Sequence, residues 1–177
     1  FYQAKAAKAV SEAVLTTSKD ASDDPLVEKA VELGMKVYRG DVDDIIGRLD
    51  GAIKLTSCEG LIRIWGDCPF ICPDVIDQMT SRLQDNNLDF INNSDIEKRT
   101  FPPGLDLEIY RRSLLTRMSQ QVTDPKLREF PFEFVKMNFK DTKFEHYTQS
   151  LNMSQIHLTV DYPEDLEAAE KLYRELS

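Results

Sequence analysis

The sequence predicts an α/β fold, a three-layer α/β/α sandwich on a mostly parallel sheet, and three observations carry that expectation. Short apolar, β-prone runs alternate with amphipathic stretches of helical length along the chain. Helix punctuation falls between them, Asp24-Pro25 opening one stretch and Gly34 closing it. Two of the runs stop at an acid, in Ile64-Trp65-Gly66-Asp67 and Leu158-Thr159-Val160-Asp161, and strand C-termini are where open α/β sheets bind ligands. With 177 residues and 41% hydrophobic content the chain can bury one core, so residues 1–177 are read as a single domain.

Element by element, residues 1–4 suit a short strand and the Ala-rich 5–12 the tail of a helix. Residues 13–17 read as a buried strand, and the polar 18–24 as a loop. The helix opened by Asp24-Pro25 is expected to bury Leu26, Val27, Ala30, Val31 and Leu33. A strand at 35–38 and a turn at Arg39-Gly40-Asp41 lead to a helix over 42–55, with Ile45, Ile46, Leu49, Ala52 and Ile53 on its inner side. Residues 61–65 form the next strand, where Gly66 turns the backbone and Pro69 stops it. A helix over 73–84 buries Val75, Ile76, Met79 and Leu83, and 89–92 is again a strand. Alternation at 105–110 predicts a strand half exposed at a sheet edge. Helices are expected over 112–121 and 125–138, the second interrupted by Pro131. Residues 144–153 have no assignment, 155–160 read as a strand, and 163–176 as a closing helix with Leu166, Ala169, Leu172, Tyr173 and Leu176 inward.

Composition narrows the function. A formal net charge of -9 without a basic cluster argues against a nucleic-acid partner. It is compatible with a phosphorylated small molecule held through Mg²⁺ on carboxylates. Cys58, Cys68 and Cys72 are odd in number and lack a CxxC pair, as expected of reduced thiols in a cytoplasmic protein. No apolar run approaches the roughly 20 residues of a membrane span, and no signal-peptide pattern opens the chain.

Several segments, taken in order, resemble one family. Trp65-Gly66-Asp67-Cys68-Pro69 resembles a strand ending in Gly-Asp-Cys-Pro. Phe101-Pro102-Pro103-Gly104-Leu105-Asp106-Leu107-Glu108 resembles Phe-Pro-Asp-Gly-Leu-Asp-Val-Glu. Asp124-Pro125 with Arg128-Glu129 resembles Asp-Pro…Arg-Glu-His, and Val160-Asp161-Tyr162-Pro163-Glu164-Asp165-Leu166 resembles Asp-Thr-Pro-Glu-Asp-Leu after a late strand. Tyr38-Arg39-Gly40-Asp41 through Gly47-Arg48 resembles the turn and helix after the family's third strand. These are features of the spore-coat polysaccharide cytidylyltransferases, relatives of the CMP-Kdo and CMP-sialate synthetases. The resemblance implies a nucleotide-diphospho-sugar transferase (GT-A-like, Rossmann-like) fold. It also implies transfer of CMP from CTP to a keto-sugar acid with release of pyrophosphate, a cytoplasmic location, and a homodimer.

The same resemblance assigns roles. Asp67 and Asp161 are expected to hold Mg²⁺ and to be the catalytic pair, although an aspartate before Pro-Glu-Asp also suits a helix cap. Gln3, Ala4, Arg48 and Gly66 are expected at the nucleotide, Arg48 reading equally as a solvated helix residue. Asp106, Glu108 and Arg128 are expected at the sugar, Arg128 reading equally as a surface ion pair. Trp65 is expected to pack beneath the site and Cys68 to fill space beside it. Departures from the family pattern are Phe130-Pro131-Phe132 where His-Val-Thr is usual, His157 for an arginine, and Tyr162 for a threonine. They leave two alternatives, an enzyme of the same fold using another nucleotide or an inactive relative that binds. No glycine precedes Gly34, so the family's Gly-containing phosphate loop is expected as a gap between Ala4 and Lys5.

Overall fold

The computed structural model describes residues 1–138 and 140–176, the last in its backbone only, so the inward side chain expected at Leu176 lies outside the described residues. The elements in chain order are α1 (Tyr2–Ala6), β1 (Val14–Ser18), α2 (Asp24–Glu32), β2 (Lys36–Gly40), α3 (Ile45–Lys54), β3 (Gly60–Ile64), α4 (Pro73–Asp85) and β4 (Phe90–Asn92). They continue with β5 (Leu107–Arg111), α5 (Arg112–Gln121), α6 (Pro125–Glu129), α7 (Pro131–Met137), β6 (Phe144–His146) and α8 (Pro163–Leu176). The fold is α/β, as its alternating pattern predicts. β1 and β2 pair in parallel, Val14 opposite Lys36. A second ladder has the order β3-β5-β4-β6, with β4 and β6 parallel and β5 antiparallel to both β3 and β4. Among the described residues no ladder joins β1 to β3, and α3 packs across β1, β2 and β3.

Strand alternation distributes the core to both faces of the second ladder. Phe90 and Tyr110 point to one side, where Ile46, Leu49 and Ile53 of α3 meet Leu114, Leu115 and Met118 of α5 and Val135 of α7. Their neighbours Ile91 and Ile109 point to the other side, against Ile76, Met79 and Leu83 of α4. Helices on both faces make the three layers.

Several expectations are corrected. Residues 1–4 are not a strand: Ala4 and Lys5 lie in α1, and Lys5 N–H donates to Phe1 O at 3.0 Å. The physical reason is the Ala-rich sequence, without β-branched residues, which favours helix. β5 lies inside the sheet, not at its edge, and its alternation reflects a polar pair buried on one face. Leu26 and Val31 of α2 are 50% and 61% exposed, because α2 turns Val27, Ala30 and Leu33 toward β1 and β2. Gly34, at φ +72°, ends that helix as expected, with Met35 N–H returning to Ala30 O at 2.9 Å. Pro131 splits the expected 125–138 helix into α6 and α7 at Phe130. In α8, Leu166 and Tyr173 are half exposed, while Ala169 and Leu172 are the more covered positions.

Candidate active site

β3 and β4 run in one direction with β5 opposed between them, so the C-terminal ends of β3 and β4 and the start of β5 share one rim. Asp67 follows β3, Asn93 follows β4, and Asp106 precedes β5. Residues 155–160, expected as a strand, cross the rim as an irregular strap. Leu158 N–H donates to Pro103 O at 2.8 Å and Val160 N–H to Asp67 O at 2.9 Å, so the strap bonds to two loops instead of a strand. Positions 67 and 161, far apart in sequence, are thereby brought to the same place.

Gly104 permits this crossing. Its φ is +101°, and a Cβ there would lie 2.4 Å from the carbonyl carbon of Leu158. Gly104→Ala is expected to lose about 1–3 kcal/mol through backbone strain and steric conflict with the strap. Thermal unfolding of the variant, together with faster proteolysis near residue 158, checks this.

Asp67 and Asp161 are not spent on holding the scaffold together, whereas Asp106 pairs with Arg99 and accepts the Gly104 N–H. Asp161 accepts from the Thr159 hydroxyl at 2.8 Å. The cap of α8 comes instead from Asp165, whose Oδ2 accepts the N–H groups of Asp161 at 3.1 Å and Tyr162 at 2.9 Å. Asp67 is half-buried, its carboxylate touched by the Cys68 thiol at 3.6 Å. Burial pushes the Asp106 carboxyl up, Arg99 and the Gly104 N–H oppose that, and the charge of Asp67 adds to it. Such an excess of anionic oxygen suits a hard divalent cation. Among the described residues no group of three or more His, Cys, Asp or Glu gathers around one point.

Cys68 is buried, and burial first, then Asp67 and Asp106, push its thiol up to about 12. At pH 9 the thiolate fraction is then about one in a thousand. Cys68 is expected to resist alkylation in the folded protein at pH 8–9 and to react fully after unfolding, as peptide mass spectrometry would read. It fills space, as expected of it from the sequence.

The other predicted residues are placed less favourably. Gln3 and Ala4 sit in α1, which packs on α4, so the expected contact from a first strand is absent. The Arg48 guanidinium donates to Asp41 O and Val42 O, both at 2.5 Å, and thus holds the β2–α3 turn. Gly66 is exposed with an ordinary φ and open space where a Cβ would be, so the turn itself does not require glycine. Glu108 is 3% exposed. Its carboxylate accepts from Arg63 at 3.0 Å and from the Tyr110 hydroxyl at 2.6 Å, which makes it part of the interior and not of a sugar-binding face. Arg128 grips both Asp44 oxygens at 2.8 Å and donates to Val122 O at 2.7 Å, joining α6 to the start of α3. Burial raises the Asp44 carboxyl, but Arg128 and the Gly47 N–H outweigh it, and Asp44 is held below the usual carboxylate range. Trp65 lies under the Arg63 guanidinium, 4.4 Å from its ring centroid, and packs as expected.

Sequence reasoning passed over Arg99, which lies 2.9 Å from Asp106, and Thr159, which orients Asp161. The available signal was the Lys98-Arg99 pair in the polar loop between β4 and the Phe101-Pro102-Pro103 turn. Surface hollows between α4 and β6, and beside Leu88 and Phe144, are not lined by Asp67, Asp106 or Asp161. The site is therefore identified by its carboxylates and not by concavity.

Helices on both faces of a sheet, with acids gathered at its rim, suit a nucleotidyltransferase among other α/β enzymes. Residues 1–176 match the family described as Cytidylyltransferase, and the chain belongs to it. A cytidylyltransferase from Leptospira borgpetersenii is 32% identical, with a TM-score of 0.85 over 94% of this chain and 70% of that one. The spore coat polysaccharide biosynthesis protein SpsF of Bacillus subtilis is 26% identical over 91% of this chain, which spans 66% of that protein's length. The CMP:2-keto-3-deoxy-manno-octonic acid synthetase solved with CTP shares the fold at 19% identity, with a TM-score of 0.67 over 100% of this chain and 86% of that one. Rv0371c of Mycobacterium tuberculosis, solved with manganese, shares it at 13% identity and a TM-score of 0.58, over 91% of this chain and 78% of that one. No helix among the described residues is long and apolar enough to cross a membrane.

Proposed function

We propose that the protein transfers CMP from CTP to a keto-sugar acid of the Kdo or sialate kind, releasing pyrophosphate, for surface polysaccharide synthesis. The observation that carries this reading is the Val160 N–H to Asp67 O bond of 2.9 Å, which sets Asp161 beside Asp67 at the end of β3. Asp67 and Asp161 would hold Mg²⁺, which would neutralise charge on the triphosphate oxygens. The acceptor's anomeric oxygen forms a bond to the α-phosphorus, the bond from that phosphorus to the β-phosphate bridging oxygen breaks, and the hydroxyl proton leaves to solvent. Gly66, without a side chain at the rim, lets phosphate approach the backbone. Asp106 faces the acceptor. The described elements act as one domain, in the cytoplasm, as a homodimer.

A coupled pyrophosphate assay of full-length protein with CTP, Mg²⁺ and a panel of keto-sugar acids tests the reading. CTP is expected to support turnover and to raise the thermal midpoint more than GTP or UTP. Equal turnover with all three nucleotides would point to a broader nucleotidyltransferase, and none with any acceptor would end the proposal.

A further inference from the structure

β6 is the outermost strand of the second ladder, and its last residue, His146, pairs in register with Asn92 of the parallel β4. His146 therefore stands on the same rim as Asp67, Asn93 and Asp106. Its imidazole is fixed from several sides. Nδ1 lies 2.9 Å from Asn92 Oδ1 and 3.4 Å from Asp95 Oδ2. Both oxygens are acceptors, so Nδ1 carries the ring proton and Nε2 the lone pair. The rings of Phe132 and Phe144 meet the imidazole nearly at right angles, their centroids 5.7 and 5.3 Å away. Nε2 has no hydrogen-bond partner among the described residues and is not among the polar atoms sealed from solvent. Burial, then the charge of Lys98, holds the ring below the usual histidine range, with Lys136 adding to this and Asp95 opposing it. Near neutral pH the ring is uncharged, and Nε2 can only accept.

We infer that His146 Nε2 reads a hydroxyl group at the end of the acceptor remote from its anomeric carbon. The strand order is β3-β5-β4-β6, so the end of β6 lies three strand spacings, about 14 Å, from the end of β3 where Asp67 stands. That is too far for contact with the α-phosphorus. An acceptor whose anomeric oxygen meets the phosphorus there, and whose body crosses Asp106 at the start of β5, extends its remaining carbons over β4 toward β6. In an acid of the Kdo or sialate kind those carbons carry hydroxyls. A hydroxyl donates to Nε2, whereas an acceptor too short to reach leaves this partly desolvated nitrogen unpaired. The ring cannot turn to find another donor without losing Asn92, which is 0% exposed, and Asp95. This inference rests on the cytidylyl-transfer reading and deepens it: Asp67 and Asp161 serve the nucleotide end, and His146 sets how far a hydroxylated acceptor must reach.

The test uses CTP with a keto-sugar acid that wild type accepts, beside the same acid shortened at its hydroxylated end by periodate cleavage and borohydride reduction. Wild type is expected to prefer the full-length acid. Two variants separate the inward from the outward nitrogen. His146→Asn supplies an N–H donor where Nδ1 meets Asn92 and Asp95 but has no atom at the Nε2 position, whereas His146→Gln reaches that position with a carbonyl acceptor. His146→Asn is expected to raise the KM for the full-length acid about 3- to 10-fold, while the KM values for the shortened acid and for CTP change less than about twofold. The preference then collapses, and His146→Gln retains most of it. Thermal unfolding of each variant reports folding. An undiminished preference in folded His146→Asn, or an equal rise in KM for both acids or for CTP, overturns the inference and leaves cytidylyl transfer standing. Equal use of the two acids by wild type also overturns it, whether or not either variant folds, and absence of all turnover removes both readings.

Discussion

Asp67→Ala is expected to lower pyrophosphate release about 10²- to 10³-fold, the usual loss when a group that stabilises transition-state charge is removed. Stability should stay within about 0.5 kcal/mol of wild type, as for a substitution away from core packing. The two effects separate because different atoms of the residue do different jobs. The carboxylate meets the Cys68 thiol at 3.6 Å, whereas the strap is held by the backbone carbonyl, which alanine keeps. Asp161→Ala should follow in the same direction, and its remaining Thr159 hydroxyl still cannot carry the lost charge. Paired measurements of pyrophosphate release and thermal midpoint check this, and wild-type rates in Asp67→Ala would remove the metal assignment.

Glu108→Ala is expected to cost about 3–5 kcal/mol of folding stability, because it leaves a buried charge without its partner. Arg63 and Glu108 lie opposite each other across β3 and β5, with side chains 16% and 4% exposed. The Tyr110 hydroxyl, in a residue that is 0% exposed, would lose its acceptor as well. Burial, then the charge of Glu108, already holds that phenol well above its usual range, so it stays a donor and cannot take over the negative charge. Urea unfolding measures the loss. The double substitution Arg63→Met with Glu108→Leu should recover most of it, since an apolar pair of similar size removes both desolvation penalties. A sugar-binding Glu108 would behave oppositely, with an altered acceptor KM and unchanged stability.

Part of the candidate site was legible because its signal is local. Gly66-Asp67 after an apolar run marks a strand end, and Asp161 before Pro163 marks a helix start, whatever the rest of the chain does. The partners of long side chains were not legible. Arg128 and Asp44 are 84 residues apart, and Arg63 and Glu108 are 45 apart, so one-dimensional spacing could not distinguish an arginine waiting for a ligand from one already paired. The segment 155–160 has the composition of a strand, yet its hydrogen-bond partners are the loops at Pro103 and Asp67. Strand formation depends on a neighbour with matching register, which composition does not reveal.

Residues 1–6 show the same division. Residues 1–4 taken alone suit a short strand, but they continue into an Ala-rich stretch that favours helix, and α1 takes them in. By itself the sequence determined the alternation of helices and strands, the punctuation at Gly34 and Pro131, and the acid that follows β3. These follow from side-chain periodicity and backbone preference, which act over a few residues. Only the tertiary structure decided that β5 is central, that Glu108 and Arg128 are bound inside the scaffold, and that Arg99 faces Asp106. Pairing and burial depend on which distant segments share space, because a buried charge is tolerated only where another part of the chain supplies its counter-charge.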